Sequence, residues 1–141
     1  MEIEDDLISL KLPDATQEES IIKVIGVGGG GSNAVNHMFR QGIHGVEFVV
    51  CNTDIQALRQ SRVKNRIQLG KELTEGRGAG CQPERGRLSA IESMDFIKTI
   101  LEHNTRMVFI TAGMGGGTGT GAAPEIARQA KELGILTIGI V

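Results

Sequence analysis

The chain has 141 residues, of which 20 are glycine and only three proline, with 40% hydrophobic residues and a formal charge of −2. Glycine stands at about twice its usual share of roughly 7%, but without a three-residue period or abundant proline the chain is not collagen-like. Its apolar content and near-neutral charge exclude a wholly disordered chain.

The charge is unevenly divided. Residues 1–20 carry −6 and are read as a disordered acidic N-terminal tail. Residues 21–141 carry +4, which suits a phosphate ligand and is too weak to point to nucleic acid; the chain also lacks Trp and Tyr on which bases could stack.

Ile21–Val27 is short and β-branched, and predicts a buried strand. It runs into Gly28–Gly31, and a helix is expected behind that run, with Ala34, Val35, Met38 and Phe39 at helical spacing and Gly42 as its stop. Val46–Cys51 predicts a second strand, followed by Asn52-Thr53-Asp54 and a short helix over Ile55–Gln60 that Asp54 or Thr53 would cap. Ile67–Leu69 could form a small strand, and Gly70–Gly80 reads as a glycine-rich loop. Pro83 suits the first turn of a long helix whose Leu88, Ile91, Met94, Ile97 and Leu101 form a core-facing stripe. Met107–Ala112 predicts a third strong strand, entering the glycine-threonine run Gly113–Gly121. A helix marked by Ala123, Ile126, Ala127, Ala130 and Leu133 follows, then Gly134 and a final strand over Ile135–Val141.

Strands alternating with helices, each strand continuously apolar, predict an α/β fold: a parallel sheet covered on both faces and joined by right-handed crossovers. Such sheets bind ligands at the carboxyl ends of their strands. Sixteen of the 20 glycines fall in three patches, 26–31, 70–86 and 113–121, on strand-to-helix connections at that edge. Helix N-termini and successive loop amides attract anions, so two such loops on neighbouring strands would hold a di- or triphosphate between them. Thr118 and Thr120 add hydroxyls that could help position a metal ion.

Gly26–Gly31 also satisfies G-x-G-x-x-G, which keeps a dinucleotide-binding (NAD or FAD) half-domain of an oxidoreductase as an alternative. That reading wants an acid at the end of the second strand; Glu47 lies inside the strand and Asp54 falls late. No lysine follows either glycine run, which disfavours an ordinary P-loop ATPase. Cys51 and Cys81 read as a core thiol and a loop thiol, His37 and His103 as solvent-facing, and no nucleophilic triad or zinc spacing appears. With an acidic N-terminus and no apolar run of membrane-spanning length, a cytoplasmic protein without direct membrane insertion is expected.

Gly115-Gly116-Gly117-Thr118-Gly119-Thr120-Gly121 resembles the signature loop of the tubulin/FtsZ GTPase superfamily. Ile22–Gly31, Val46–Phe48, Asn52-Thr53-Asp54 and Gly78-Ala79-Gly80 with Pro83-Glu84 are similar, in the same order, to its bacterial cell-division branch. The resemblance covers residues 21–141 and implies the three-layer, mainly parallel, Rossmann-like sheet of that nucleotide-binding domain. It implies GTP/GDP as ligand with Mg²⁺, and a GTPase that polymerises head-to-tail with itself into protofilaments. These would form the division ring in the cytoplasm at mid-cell, with other division proteins as partners. By position, Gly29, Gly30, Gly31, Ser32 and Asn33 would form the first phosphate loop. Asn52 and Asp54 would lie near the phosphates and magnesium, Ala79, Gly80 and Cys81 would form the loop that senses the γ-phosphate, and Gly115, Gly116, Gly117, Thr118, Gly119 and Thr120 would clasp the phosphates. Ser32, Cys81 and Gln82 depart from residues common in the family, and none removes a backbone donor. The family continues past Val141 with a ribose-contacting loop, a central helix and a second domain bearing catalytic acids that act on the neighbouring subunit's nucleotide. No residue here therefore takes a catalytic role, and the 141-residue chain is expected to bind GTP weakly, to hydrolyse it negligibly and to be marginally stable.

Overall fold

A computed structural model of the protein describes residues 21–141. The acidic tail expected over residues 1–20 lies outside the described residues. The elements are β1 (Ile22–Val27), α1 (Gly28–Arg40), β2 (Val46–Asn52), α2 (Ile55–Gln60), β3 (Asn65–Gln68), α3 (Lys71–Thr74), α4 (Pro83–Glu92), α5 (Met94–Glu102), β4 (Met107–Ala112), α6 (Thr118–Glu132) and β5 (Leu136–Ile140). The five strands form one parallel sheet in the order β3-β2-β1-β4-β5. Chain order thus runs outward from β1 to one edge, then crosses back to β4 and the other edge. This is the doubly wound arrangement, with its switch point between β1 and β4.

Alternate residues of the strands feed two cores. Val24, Phe48 and Val50 pack with Val35 of α1 and Leu58 of α2 on one face. Ile25, Val27, Val49, Val108 and Ile110 pack with Ala90, Ile97 and Ile126, from α4, α5 and α6, on the other. Coverage on both faces holds for β1 and the buried part of β2, and fails at β4 and β5. In β4 only Val108, Ile110 and Ala112 are fully buried, and in β5 Leu136 and Ile140 stand 60% and 53% exposed. The reason is geometric: α1 reaches β4, where Phe109 is partly buried against its core, and no described helix covers that face of β5.

Three local expectations are corrected. The first glycine run does not precede its helix but forms its first turn, α1 beginning at Gly28, whereas the second straddles the boundary, with Gly113 to Gly117 before α6 and Gly119 and Gly121 inside it. The Gly70–Gly80 loop contains the short helix α3. The single long helix from Pro83 is two helices broken at Ser93. The Ser93 hydroxyl donates to the Gln68 carbonyl (3.3 Å) and accepts from the Gly70 amide (3.1 Å), so it is held by the end of β3. The break separates the proposed stripe: Ile97 and Leu101 are buried in α5, whereas Leu88 and Ile91 of α4 are exposed. The face α4 turns inward is Gly86, Ser89 and Ala90, because it approaches α6 too closely for larger side chains. A Cβ on Gly121 of α6 would overlap the Pro83 carbonyl oxygen and lie 2.6 Å from the Arg87 nitrogen.

The opposite end of the sheet hides a charge. Lys23 is 1% exposed in the middle of an apolar strand. Its Nζ donates to the carbonyls of Ile100 and, at 2.7 Å, of His103, both at the end of α5, with Glu47 Oε2 4.0 Å away. Burial lowers the Lys23 pKa, and the Glu47 carboxylate partly opposes that. The lysine thereby satisfies helix-end carbonyls that have no partner within the helix. His103, expected in solvent, is half-buried at that helix end with its Nε2 enclosed and unpaired.

Candidate functional site

The strands β1 and β4 end side by side, with Val27 level with Ala112. From β1 the chain enters α1 with no intervening loop. That abrupt turn puts Gly28 at φ +74°, a left-handed backbone that side chains rarely adopt, and brings its α-carbon against the start of α6, where a Cβ would meet the Gly119 nitrogen at 2.8 Å. The starts of α1 and α6 are thereby pressed together at the switch point. Neither helix has a side-chain cap: Val27 precedes α1 and Gly117 precedes α6, and neither supplies a hydrogen bond to the first-turn amides. By contrast, Asp54 caps α2, its Oδ1 accepting from the amides of Gln56 (2.9 Å) and Ala57 (3.2 Å).

A cavity of about 360 Å³ opens between these two helix starts. Gly29 and Gly30 form one wall, Gly116, Gly117, Thr118 and Gly119 another, and Ala79 and Cys81 a third. Three lining residues had not been singled out, Val27, Gly113 and Met114. Val27 ends the strand before the first helix start and Gly113 and Met114 open the second glycine run, and the signal that could have found them is the abruptness of each strand-to-helix turn. No lining residue is charged. Attraction for an anion therefore comes from uncapped amides and the positive ends of two helix dipoles.

The other residues expected in the site are placed around the cavity rather than on its surface. Gly31 is buried against β4, where a Cβ would overlap the Thr111 carbonyl oxygen. Ser32 is buried with its Oγ unpaired, and Asn33 is exposed on α1. Asn52 Oδ1 accepts from the Asp54 amide (3.2 Å) and shapes the turn after β2. Gly80 is exposed at φ +59°, next to Cys81 at φ +58°. The Gly115 amide donates to Thr120 Oγ1 (2.9 Å), which folds the signature loop back onto the first turn of α6. Thr53, given no place in the site, is wholly buried with its Oγ1 2.7 Å from Thr118 Oγ1.

The thiols separate as expected. Cys51 is buried in β2, and burial pushes its pKa up to about 12; Cys81 is exposed. Among the described residues there is no cluster of three or more His, Cys, Asp or Glu side chains that could hold a metal, and no helix is long and apolar enough to cross a membrane.

A doubly wound parallel sheet with two glycine-built, uncapped helix starts at its switch point defines the Rossmann-like class of α/β domains. Within that class the chain belongs to the Tubulin/FtsZ family, matching its GTPase domain over residues 21–141. It is 59% identical over 129 residues to the cell division protein FtsZ of Buchnera aphidicola subsp. Acyrthosiphon pisum, covering 92% of this chain and 33% of the relative. Its structure is similar to an empty FtsZ dimer of M. jannaschii, with a TM-score of 0.82, 43% identity, and coverage of 88% of this chain and 36% of that one. It is also similar to CetZ2 from Haloferax volcanii in a GTPγS-bound protofilament, with a TM-score of 0.73, 25% identity, and coverage of 85% and 39%. The chain thus spans about a third of the length of the curated relative it matches. Nothing in these likenesses supports the dinucleotide-dependent oxidoreductase.

Proposed function

We propose that residues 21–141 form the phosphate-gripping part of a guanine-nucleotide domain, in a protein that hydrolyses GTP while assembling with copies of itself into protofilaments of the division ring at mid-cell. The observation that carries the reading is the pair of uncapped helix starts opening on one cavity at the switch point. The amides of Gly29 and Gly30 and those of Gly116 to Thr120 are the donors for the β- and γ-phosphates, Gly31 packing that turn against β4, and Ala79, Gly80 and Cys81 would sense a terminal phosphate. Ser32 and Asn33 support this loop from within α1.

Mg²⁺ fits such a site without a protein cage, because it takes most of its ligands from phosphate and water. Asp54 is the residue that suits it: the cap of α2 uses Oδ1 and not Oδ2. Asn52 holds the backbone of that turn. When bound, the ion would neutralise phosphate charge. Hydrolysis itself would need groups beyond those of this chain, so its residues bind and orient rather than activate water. Other division proteins are expected partners of the assembled filament.

The test is equilibrium binding of fluorescent GDP, ADP and NAD to the chain, with pyrophosphate as competitor. Saturable GDP binding displaced by pyrophosphate is expected, at an affinity below that of a full-length relative. Tighter binding of NAD, or failure of pyrophosphate to compete, overturns the reading.

A further inference from the structure

We propose that Thr53 is a positioning residue of the phosphate cavity: its hydroxyl donates to Thr118 Oγ1 and so turns the Thr118 proton into the cavity toward a phosphate oxygen. The inference rests on the reading of the cavity as a phosphate site. Thr118 is the first residue of α6, lines the cavity, and is 9% exposed. Thr53 follows the last residue of β2, is 0% exposed and does not line the cavity. The two hydroxyl oxygens are 2.7 Å apart, and either could be the donor.

Each hydroxyl has one proton, so the pair has two states. If Thr118 donates to Thr53, Thr118 shows the cavity only lone pairs, which repel an oxyanion. If Thr53 donates, the Thr118 proton is free for the ligand, and the two hydrogen bonds run head to tail and polarise each other. An anion selects the second state. Because Thr53 is closed off from water, solvent does not compete for its proton. The capping arrangement leaves it available as well: the cap of α2, which Thr53 could have supplied, is made by Asp54, and the Thr53 carbonyl accepts from Thr74 Oγ1 at 3.4 Å. Thr53 also ties the turn after β2 to the start of α6, so the loops of two strands present their donors together.

The test is calorimetric titration of pyrophosphate and GDP into the chain and its Thr53→Val, Thr53→Ser, Thr118→Val and doubly substituted forms, with a urea melt of each unliganded form. Loss of one such hydrogen bond corresponds to about a 3- to 10-fold weaker affinity. Thr53→Val is expected to weaken both ligands by that factor, Thr53→Ser to stay within about twofold of the parent, and Thr53→Val to add nothing once Thr118 is Val, since contacting residues are coupled. Thr53→Ala carries the same test if valine is not accommodated. Unchanged affinity in Thr53→Val, or the same loss with and without the Thr118 hydroxyl, overturns the relay while leaving the phosphate site standing. Absence of pyrophosphate and GDP binding in the parent chain overturns the site itself, and the relay with it.

Discussion

Replacing Gly121 by alanine tests whether the packing of α4 on α6 is what holds the cavity's second wall. The two helices approach through reciprocal glycines. A Cβ on Gly121 would overlap the Pro83 carbonyl oxygen and lie 2.6 Å from the Arg87 nitrogen and 2.8 Å from the Pro83 carbonyl carbon. A Cβ on Gly86 would overlap the Gly117 carbonyl oxygen and lie 3.0 Å from the Thr118 α-carbon. These neighbours are backbone, so they cannot rotate away, and the helices must part by roughly 1.5–2 Å to restore ordinary contact distances near 3.5–4.0 Å. Overpacking of this kind costs about 1–3 kcal/mol or more, against which alanine returns roughly 1 kcal/mol of helix propensity over glycine. Because the clash is with backbone the cost falls at the upper end of that range, and a net loss of about 2 kcal/mol is expected, seen in urea melts followed by circular dichroism as a lower midpoint at unchanged slope. Because α6 carries Thr118 and Gly119 into the cavity, GDP affinity should fall in the same variant at urea-free conditions where it is still folded. A Gly121→Ala chain as stable as the parent within about 0.5 kcal/mol would show that the helices do not depend on this approach, since that is the range of a surface substitution.

Gly29→Ala should separate the two roles of the glycines. An added Cβ meets nothing within 4 Å, so stability is expected to hold or rise by up to about 1 kcal/mol, while the methyl group intrudes on the cavity and is expected to weaken GDP binding about tenfold or more; equal affinity in a titration would refute the proposal that a phosphate sits on that wall. The two thiols give a third expectation. A thiol reagent should label Cys81 in the folded chain, more slowly with GDP bound, and reach Cys51 only on unfolding. Cys51 titrates at about 12 when folded against 9.0 when exposed, so its contribution to stability is complete below pH 9 and lost as pH rises toward 12. Rapid labelling of both thiols, or GDP-independent labelling of Cys81, would contradict the placement.

The order of elements was legible because parallel strands buried by crossover helices are written as short apolar runs, and Ile22–Val27, Val46–Asn52 and Met107–Ala112 are such runs. The break at Ser93 was not, because the partners that take it out of the helix, Gln68 and Gly70, lie more than 20 residues earlier in sequence. The leucine-isoleucine stripe misled for a related reason: periodicity shows that a helix has an apolar face, but the distance of approach to α6 decided that Gly86 and Ala90 would face inward. Lys23 was invisible as a structural residue, since a lysine in an apolar strand gives no sign of the helix end it satisfies across the sheet. In the site, sequence located the edge and the loops but not the division of work among the glycines. Gly29 and Gly30 face the cavity, while Gly26 and Gly31 in the same run pack against each other and against Thr111.

That division explains why the runs are so dense. A phosphate needs open amides, which favours glycines with nothing beside them; Gly29 and Gly116 have no heavy atom within 4 Å of an added Cβ. Open amides converge only if two helix starts are brought closer than side chains permit, which requires a second set of glycines whose sites are crowded, as at Gly28, Gly31, Gly119 and Gly121. Neither set suffices alone. Uncrowded glycines without the crowded ones would leave two separate helix ends, each a weak anion site. Crowded glycines without the open ones would leave a tight helix contact with its amides shielded by side chains. The doubly wound order supplies the remaining condition, because at the β1–β4 switch two adjacent parallel strands send their following helices to opposite faces and leave a crevice between the helix starts. Thr53 and Asp54 then fit this scheme as supports from the next strand over, one braced on Thr118 and the other holding α2 in place. The site is in this sense a property of the sheet's winding, with the glycines setting how closely its two halves meet.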